Sequence, residues 1–258
     1  MDEAIEKYRM ATEVDPGLAA AYSDWGDALR RKGAYNEAME QYRKATDIDA
    51  KFVRAFLHWG NALKEQGQLD EALEKYRKIT EIAPEHALAY SGWGGILSEK
   101  GRPEEAIEKF HKATELNPKL AAAYNNWGNS LRDQGKLVEA VEKYQKATEI
   151  NPNYALAYAN WGYALEESKP DEAIEKYRKA TEVDPGYALA YVNWGNLLRD
   201  QNKLEQAIDL YRKATEVNPR YARAYVNWGY ALQGQAKQDE AMRLFRKAEE
   251  LDPKFRRP

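Results

Sequence analysis

The stretch AAAYNNWGNSLRDQGKLVEAVEKYQKATEINP (121–152) decides how the chain is read. Its first half sets Tyr124, Trp127, Gly128 and Leu131 at i, i+3, i+4 and i+7, one face of an α-helix. Gly135 interrupts the pattern at a point that suits a left-handed turn. A second helical pattern follows, with Ala140 and Tyr144 on its apolar face. Pro152 closes it, because proline cannot continue a helix and restricts the residue before it. One oddity remains. Trp127 looks like a core residue, yet three amides crowd it, Asn125, Asn126 and Asn129.

Working outward, the same unit recurs along the whole chain. Tryptophan stands at 25, 59, 93, 127, 161, 194 and 228, with steps of 34 residues and one of 33. Each is followed by glycine, preceded three residues earlier by Tyr or Phe, and followed four residues later by Leu. In the second half of each unit Ala38, Ala72, Ala106, Ala140, Ala173, Ala207 and Ala241 recur, followed four residues later by Tyr or Phe. A fixed period of about 20–50 residues is the mark of a stacked repeat array. One helical hairpin cannot bury both its faces, so its neighbours must cover it.

These residues resemble the tetratricopeptide repeat family, whose pattern is aromatic, Leu-Gly and aromatic in a first helix, then Ala, aromatic, Ala and Pro in a second. Here Trp takes the usual Leu position and Leu the second aromatic one, and the resemblance covers essentially the whole chain. The units are a lone second helix at 1–18, full repeats at 19–52, 53–86, 87–120, 121–154, 155–187, 188–221 and 222–255, and a tail at 256–258. The resemblance implies an all-α, right-handed superhelical solenoid. First helices would line a concave channel and second helices would stand outside. The alanines are expected to meet the glycine after each Trp, and loss of a Trp to leave a cavity costing about 3–5 kcal/mol.

Composition excludes several functions. Without cysteine there are no disulfides, thiolate nucleophiles or cysteine-type zinc sites. His58, His86 and His111 are too scattered for a metal cluster, so neither metal nor cofactor is expected. A formal net charge of −3 gives no basic footprint for nucleic acid. No apolar run approaches the roughly 20 residues that span a bilayer. The opening MDEAIEKYRM is charged and has no signal-peptide core, which makes the cytoplasm the expected location. No catalytic constellation or phosphate loop is present, and carboxylates such as Glu175 pair with Lys179 along a solvated face. The chain is therefore read as a non-enzyme.

The array also departs from its own pattern. Repeat 155–187 is one residue short, and its turn is expected to be rebuilt around Lys169 and Pro170. SGWGGIL (91–97) packs Gly92, Gly94 and Gly95 into one helix, at roughly 0.8–1 kcal/mol each relative to alanine. Such irregularity argues against an idealised consensus design. The chain starts on a second helix and ends at LDPKFRRP without a polar capping helix. Exposed flanks, and a homo-oligomer formed through them, are expected.

The face of the first helix opposite its packing stripe carries the candidate site. Count each repeat so that its first aromatic is at position 4 and Trp at 7. Positions 2, 5, 6, 9, 12 and 13 then point toward the channel. Position 6 holds Asn126, Asn160, Asn193 and Asn227 in four successive repeats. Position 9 holds Asn61, Asn129 and Asn196, with Tyr163 and Tyr230. An amide offers both a donor and an acceptor, which suits an extended peptide backbone. The row resembles the asparagine ladder in the repeat domain of O-linked N-acetylglucosamine transferases, which implies main-chain binding at Asn126, Asn160, Asn193 and Asn227. Glu65, Glu99, Asp133, Glu167 and Asp200 at position 13 favour a ligand with basic residues, and Gly92 with Gly95 leaves a bare patch for a bulky group. The carboxylate clamp of chaperone-binding repeats fits poorly, since position 5 never holds Lys. The expected function is a protein- or peptide-binding scaffold. The alternatives are a self-assembly module or targeting fragment of a larger enzyme, and an engineered array without a natural ligand.

Overall fold

The structure is a computed structural model and describes residues 2–255. Among them every regular element is helical. The tail assigned to 256–258 lies outside the described residues. The first helices of successive repeats are α2 (Ala19–Lys32), α4 (Val53–Glu65), α6 (Ala87–Glu99), α8 (Ala121–Asp133), α10 (Ala155–Leu165), α12 (Ala188–Asp200) and α14 (Ala222–Gly234). The second helices are α1 (Asp2–Val14), α3 (Tyr35–Ile48), α5 (Leu69–Ile82), α7 (Pro103–Leu116), α9 (Leu137–Ile150), α11 (Pro170–Val183), α13 (Leu204–Val217) and α15 (Gln238–Leu251). A 3₁₀ turn, Pro253–Phe255, follows. The chain divides into two compact units, Met1–Ser130 and Leu131–Pro258, and the division falls inside α8.

Local chemistry sets the helix ends. Within a pair the chain turns through the left-handed region at Gly33, Gly67, Gly101 and Gly135, and at Asn202 where asparagine replaces glycine. In the last pair Ala236 adopts the same conformation at φ 60°, although a Cβ there costs about 1–2 kcal/mol. The short repeat has no left-handed residue. Its α10 has only 11 residues, Lys169 donates its N–H to the Leu165 carbonyl at 2.8 Å, and Pro170 opens α11 without wasting a donor. Between pairs, Asp15, Asp49, Asn117, Asn151, Asp184, Asn218 and Asp252 each accept the backbone N–H two residues on, at 2.9–3.1 Å. Ala83 has no such oxygen, and His86 Nδ1 accepts from the N–H of Ala89 instead.

The core differs from expectation in one respect. Its fully buried aromatic side chains are those of the second helices. Tyr42, Tyr76, Phe110, Tyr144, Tyr177 and Tyr211 are at most 1% exposed, while every Trp is only half-buried. The glycine after Trp makes room for those rings, not for the alanine. A Cβ built on Gly26 would lie 2.6 Å from the Tyr42 ring, and one on Gly195 would lie 2.7 Å from Tyr211. At Gly94 the alanine of the second helix is among the nearest neighbours as well, through the Ala106 carbonyl at 3.1 Å. The ring fills the seam between the two helices and displaces the larger indole toward the surface. Cations of the second helix then cover the indole, with Lys75 Nζ 3.8 Å from the Trp59 ring and Lys176 Nζ 3.9 Å from that of Trp161. Truncating a Trp should therefore cost less than the full cavity figure.

Candidate functional site

Helical geometry delivers the position-6 and position-9 residues to one face of each first helix, and that face is partly open. Asn61, Asn126, Asn129, Asn160, Asn193, Asn196 and Asn227 are half-buried, whereas Tyr163 and Tyr230 are about half exposed, at 53% and 47%. Position 5 is buried in four of the seven repeats, contrary to expectation. Ser23, Asn125 and Val192 are wholly buried there, and Ala159 is nearly so. Successive first helices pack on one another, α2 on α4, α4 on α6 and α12 on α14. Asn125 donates to Asn126 Oδ1 at 3.2 Å.

In the second unit the amides are wired to the buried tyrosines behind them. Tyr211 Oη donates to Asn196 Oδ1 at 2.9 Å, and Asn227 Nδ2 donates to the same oxygen at 2.8 Å. Asn193 Nδ2 donates to Tyr177 Oη in a longer contact of 3.4 Å. The Tyr177 hydroxyl in turn donates to the carboxylate of Glu166. In the first unit Tyr76 Oη donates to Asn61 Oδ1 at 2.7 Å, and burial pushes that hydroxyl up to about 12. Part of the ladder's hydrogen-bonding capacity thus holds the amides in place.

A groove of about 380 Å³ in the second unit brings Asn160, Asn193 and Tyr163 together, with Arg132, Asp133 and Arg223 around them. The Arg132 guanidinium lies 5.5 Å from the centre of the Tyr163 ring and bonds Asp133 at 2.9 Å. Arg223 is exposed and makes no ion pair among the described residues. The first unit has its own groove of about 510 Å³, lined by Asp24, Asp27, Arg31, Arg54 and His58. Its charges are spent internally, with Arg54 on Asp24 and Arg31 on Asp27, both at 2.9 Å. Burial holds the His58 imidazole below its ordinary value, although Asp27 opposes the shift.

Two further expectations are corrected. Four carboxylates of the position-13 row are paired with cations at position 12. Glu65 meets Arg30 at 2.6 Å, Glu99 meets Lys64 at 2.7 Å, and Asp133 and Asp200 meet Arg132 and Arg199 at 2.9 Å. The row therefore presents little free negative charge. Nor is the Gly92–Gly95 patch bare. A Cβ on Gly92 would fall 2.4 Å from the Tyr76 ring, which occupies the space, and Lys64 Nζ lies near Gly95. Sequence reading missed Glu166, Arg132 and Arg223. Their signal was a break in the column. Glu166 is the only acid at position 12, and Arg223 shares position 2 with Arg54 where other repeats hold Leu or Ala.

Family models described as TPR repeat match residues 26–67, 128–169 and 195–236, and tetratricopeptide repeat models match 57–121 and 222–255. The chain belongs to the tetratricopeptide repeat family. Its repeats also match solved structures. MamA is 28% identical with a TM-score of 0.56, over 62% of this chain and 95% of that one. YrrB, described as a TPR protein with an unusual peptide-binding site, is 25% identical with a TM-score of 0.55, over 72% of this chain and 96% of that one. PilF of Pseudomonas aeruginosa shares the fold at 22% identity and a TM-score of 0.69, over 78% and 92%. No curated protein matches the chain. Tetratricopeptide repeat proteins are typically interaction scaffolds, and no enzyme family is among the matches. Among the described residues no helix is long and apolar enough to cross a membrane.

Proposed function

We infer that the protein is a non-enzymatic scaffold whose first-helix face binds an extended peptide, with the second-unit groove as its centre. The observation that carries this reading is the convergence of Asn160, Asn193 and Tyr163 on one open groove beside the unpaired Arg223. Amides anchored from behind are pre-organised, so binding costs little ordering of the protein. The role resembles that of the asparagine ladder in O-linked N-acetylglucosamine transferases, with Asn126, Asn129, Asn196, Asn227, Asn61 and Tyr230 as further rungs within their own units. YrrB, with its peptide-binding site, supports a peptide as the ligand class. The pairing of the acidic row shifts the expected ligand charge. An acidic side chain suits Arg223, and a basic one suits Glu167, which makes no ion pair among the described residues.

Peptides selected from a random display library on the wild-type protein test this. Asn160→Ala with Asn193→Ala should weaken them about tenfold or more, given a net 0.5–1.5 kcal/mol per hydrogen bond, with the circular dichroism spectrum unchanged. Equal affinity for the double variant, or failure to select any peptide, refutes the reading.

A further inference from the structure

The short repeat contains a hydrogen-bond relay that ends on a carboxylate. In repeats with asparagine at position 9, the buried tyrosine uses it as its acceptor, as Tyr76 uses Asn61 and Tyr211 uses Asn196. Position 9 of the short repeat is Tyr163, which has no amide oxygen to offer and is about half exposed. The Tyr177 hydroxyl takes Glu166 instead, three residues further along where α10 has already ended. Behind the same hydroxyl stands Asn193 Nδ2. The chain of donors runs from Asn193 to Tyr177 to Glu166.

The geometry points to Glu166 as a positioning residue that sets the hydrogen-bonding polarity of Asn193 in the groove. It rests on the reading of that groove as the peptide site. While Glu166 is ionised it can only accept, so Tyr177 donates to it and the Tyr177 oxygen accepts from the Asn193 amide. Asn193 Oδ1 then has no other partner among the described residues and is left for the ligand. This rung takes a backbone N–H from the peptide. When Glu166 is protonated its O–H can donate to the Tyr177 oxygen. The tyrosine hydroxyl swings to donate to Asn193, the amide flips, and the rung offers N–H in place of C=O.

The surroundings favour the protonated form of Glu166 relative to a free carboxyl. Burial pushes the Glu166 carboxyl above its ordinary value, the Tyr177 hydrogen bond opposes the shift, and Asp200 and Glu167 add to it. Arg132, Asp133 and Tyr163 face the carboxylate across the adjoining cavity. Arg132 is held by Asp133 and by the Tyr163 ring, so it does not hold Glu166 ionised.

Two variants and two readouts test the relay. The first needs no ligand. Side-chain amide resonances of Asn193 are followed by ¹⁵N NMR from pH 7.5 to 4.5. They should move with the Glu166 titration in the wild type and stay flat in Glu166→Gln and Tyr177→Phe. The latter should fold, because Phe110 and Phe245 occupy the same position in other repeats. The second uses peptides selected on the wild type at pH 7.5. Affinity should drop about tenfold at low pH, the worth of one reversed hydrogen bond, and this pH dependence should vanish in Glu166→Gln. Asn193 resonances that titrate identically in wild type and Glu166→Gln overturn the relay, as does a pH profile of binding unchanged by that variant. If no peptide is selected, the binding reading fails while the NMR comparison still decides the relay.

Discussion

A methyl group added at Gly229 would meet the Phe245 ring at 2.4 Å, whereas at Gly60 the nearest Tyr76 atom is 3.2 Å away. Replacing a helical glycine by alanine gains roughly 0.8–1 kcal/mol of propensity, against about 1–3 kcal/mol for overpacking. Gly229→Ala should therefore lose about 1–2 kcal/mol in urea unfolding, and Gly60→Ala should change stability by less than about 0.5 kcal/mol. Ala236→Gly relieves a left-handed alanine and should gain about 0.5–1 kcal/mol. Glu166 has a pH signature of its own. Its folded-state pKa is raised above 4.5, so between that value and the folded one the native protein binds more protons than the unfolded chain. Its contribution is complete below the unfolded value and is lost as pH rises through the folded one. Glu166→Gln should flatten this part of the stability–pH curve and be no less stable than wild type at neutral pH, as read by melting temperature. The ladder asparagines were legible as a column in the sequence. Their tyrosine partners were not, because a hydrogen bond between a first and a second helix, within a repeat as for Tyr211 and Asn196 or across repeats as for Tyr177 and Asn193, depends on the depth of packing, which a column does not reveal.

At the scale of the element, α6 shows that three glycines in one helix are not equivalent. Gly92 admits the Tyr76 ring and Gly94 admits that of Phe110, but a Cβ on Gly95 would meet only Lys64 Nζ, at 3.6 Å. Gly95→Ala should raise the amide-exchange protection of α6 by about 0.8–1 kcal/mol, while Gly92→Ala should lower it. Helix boundaries were readable because they depend on local chemistry: Pro170 and Pro103 at helix starts, and glycine or asparagine in left-handed turns. The burial of Ser23, Asn125 and Val192 was not readable. A helical wheel resolves two sides, and a solenoid helix has three, facing its own partner, the next first helix and the open groove.

At the scale of the whole molecule, extensive contacts run between consecutive helices and between some successive first helices. Stability in such an array is a sum of repeat and nearest-neighbour terms. Gly229→Ala should lower hydrogen-exchange protection in α13, α14 and α15 and leave α2 to α5 unchanged, as mass spectrometry would show. By itself the sequence determined the family, the helix pairs and the column of amides. Each follows from periodicity and local backbone preference, which depend on neighbours along the chain. Only the tertiary structure decided that the tyrosine ring and not the tryptophan is the deepest side chain. It alone showed that the acidic row is largely paired, that Gly92 is filled, and that Glu166 stands behind Asn193. Those outcomes depend on which side chain wins a shared space between helices, and volume and charge settle that competition in three dimensions.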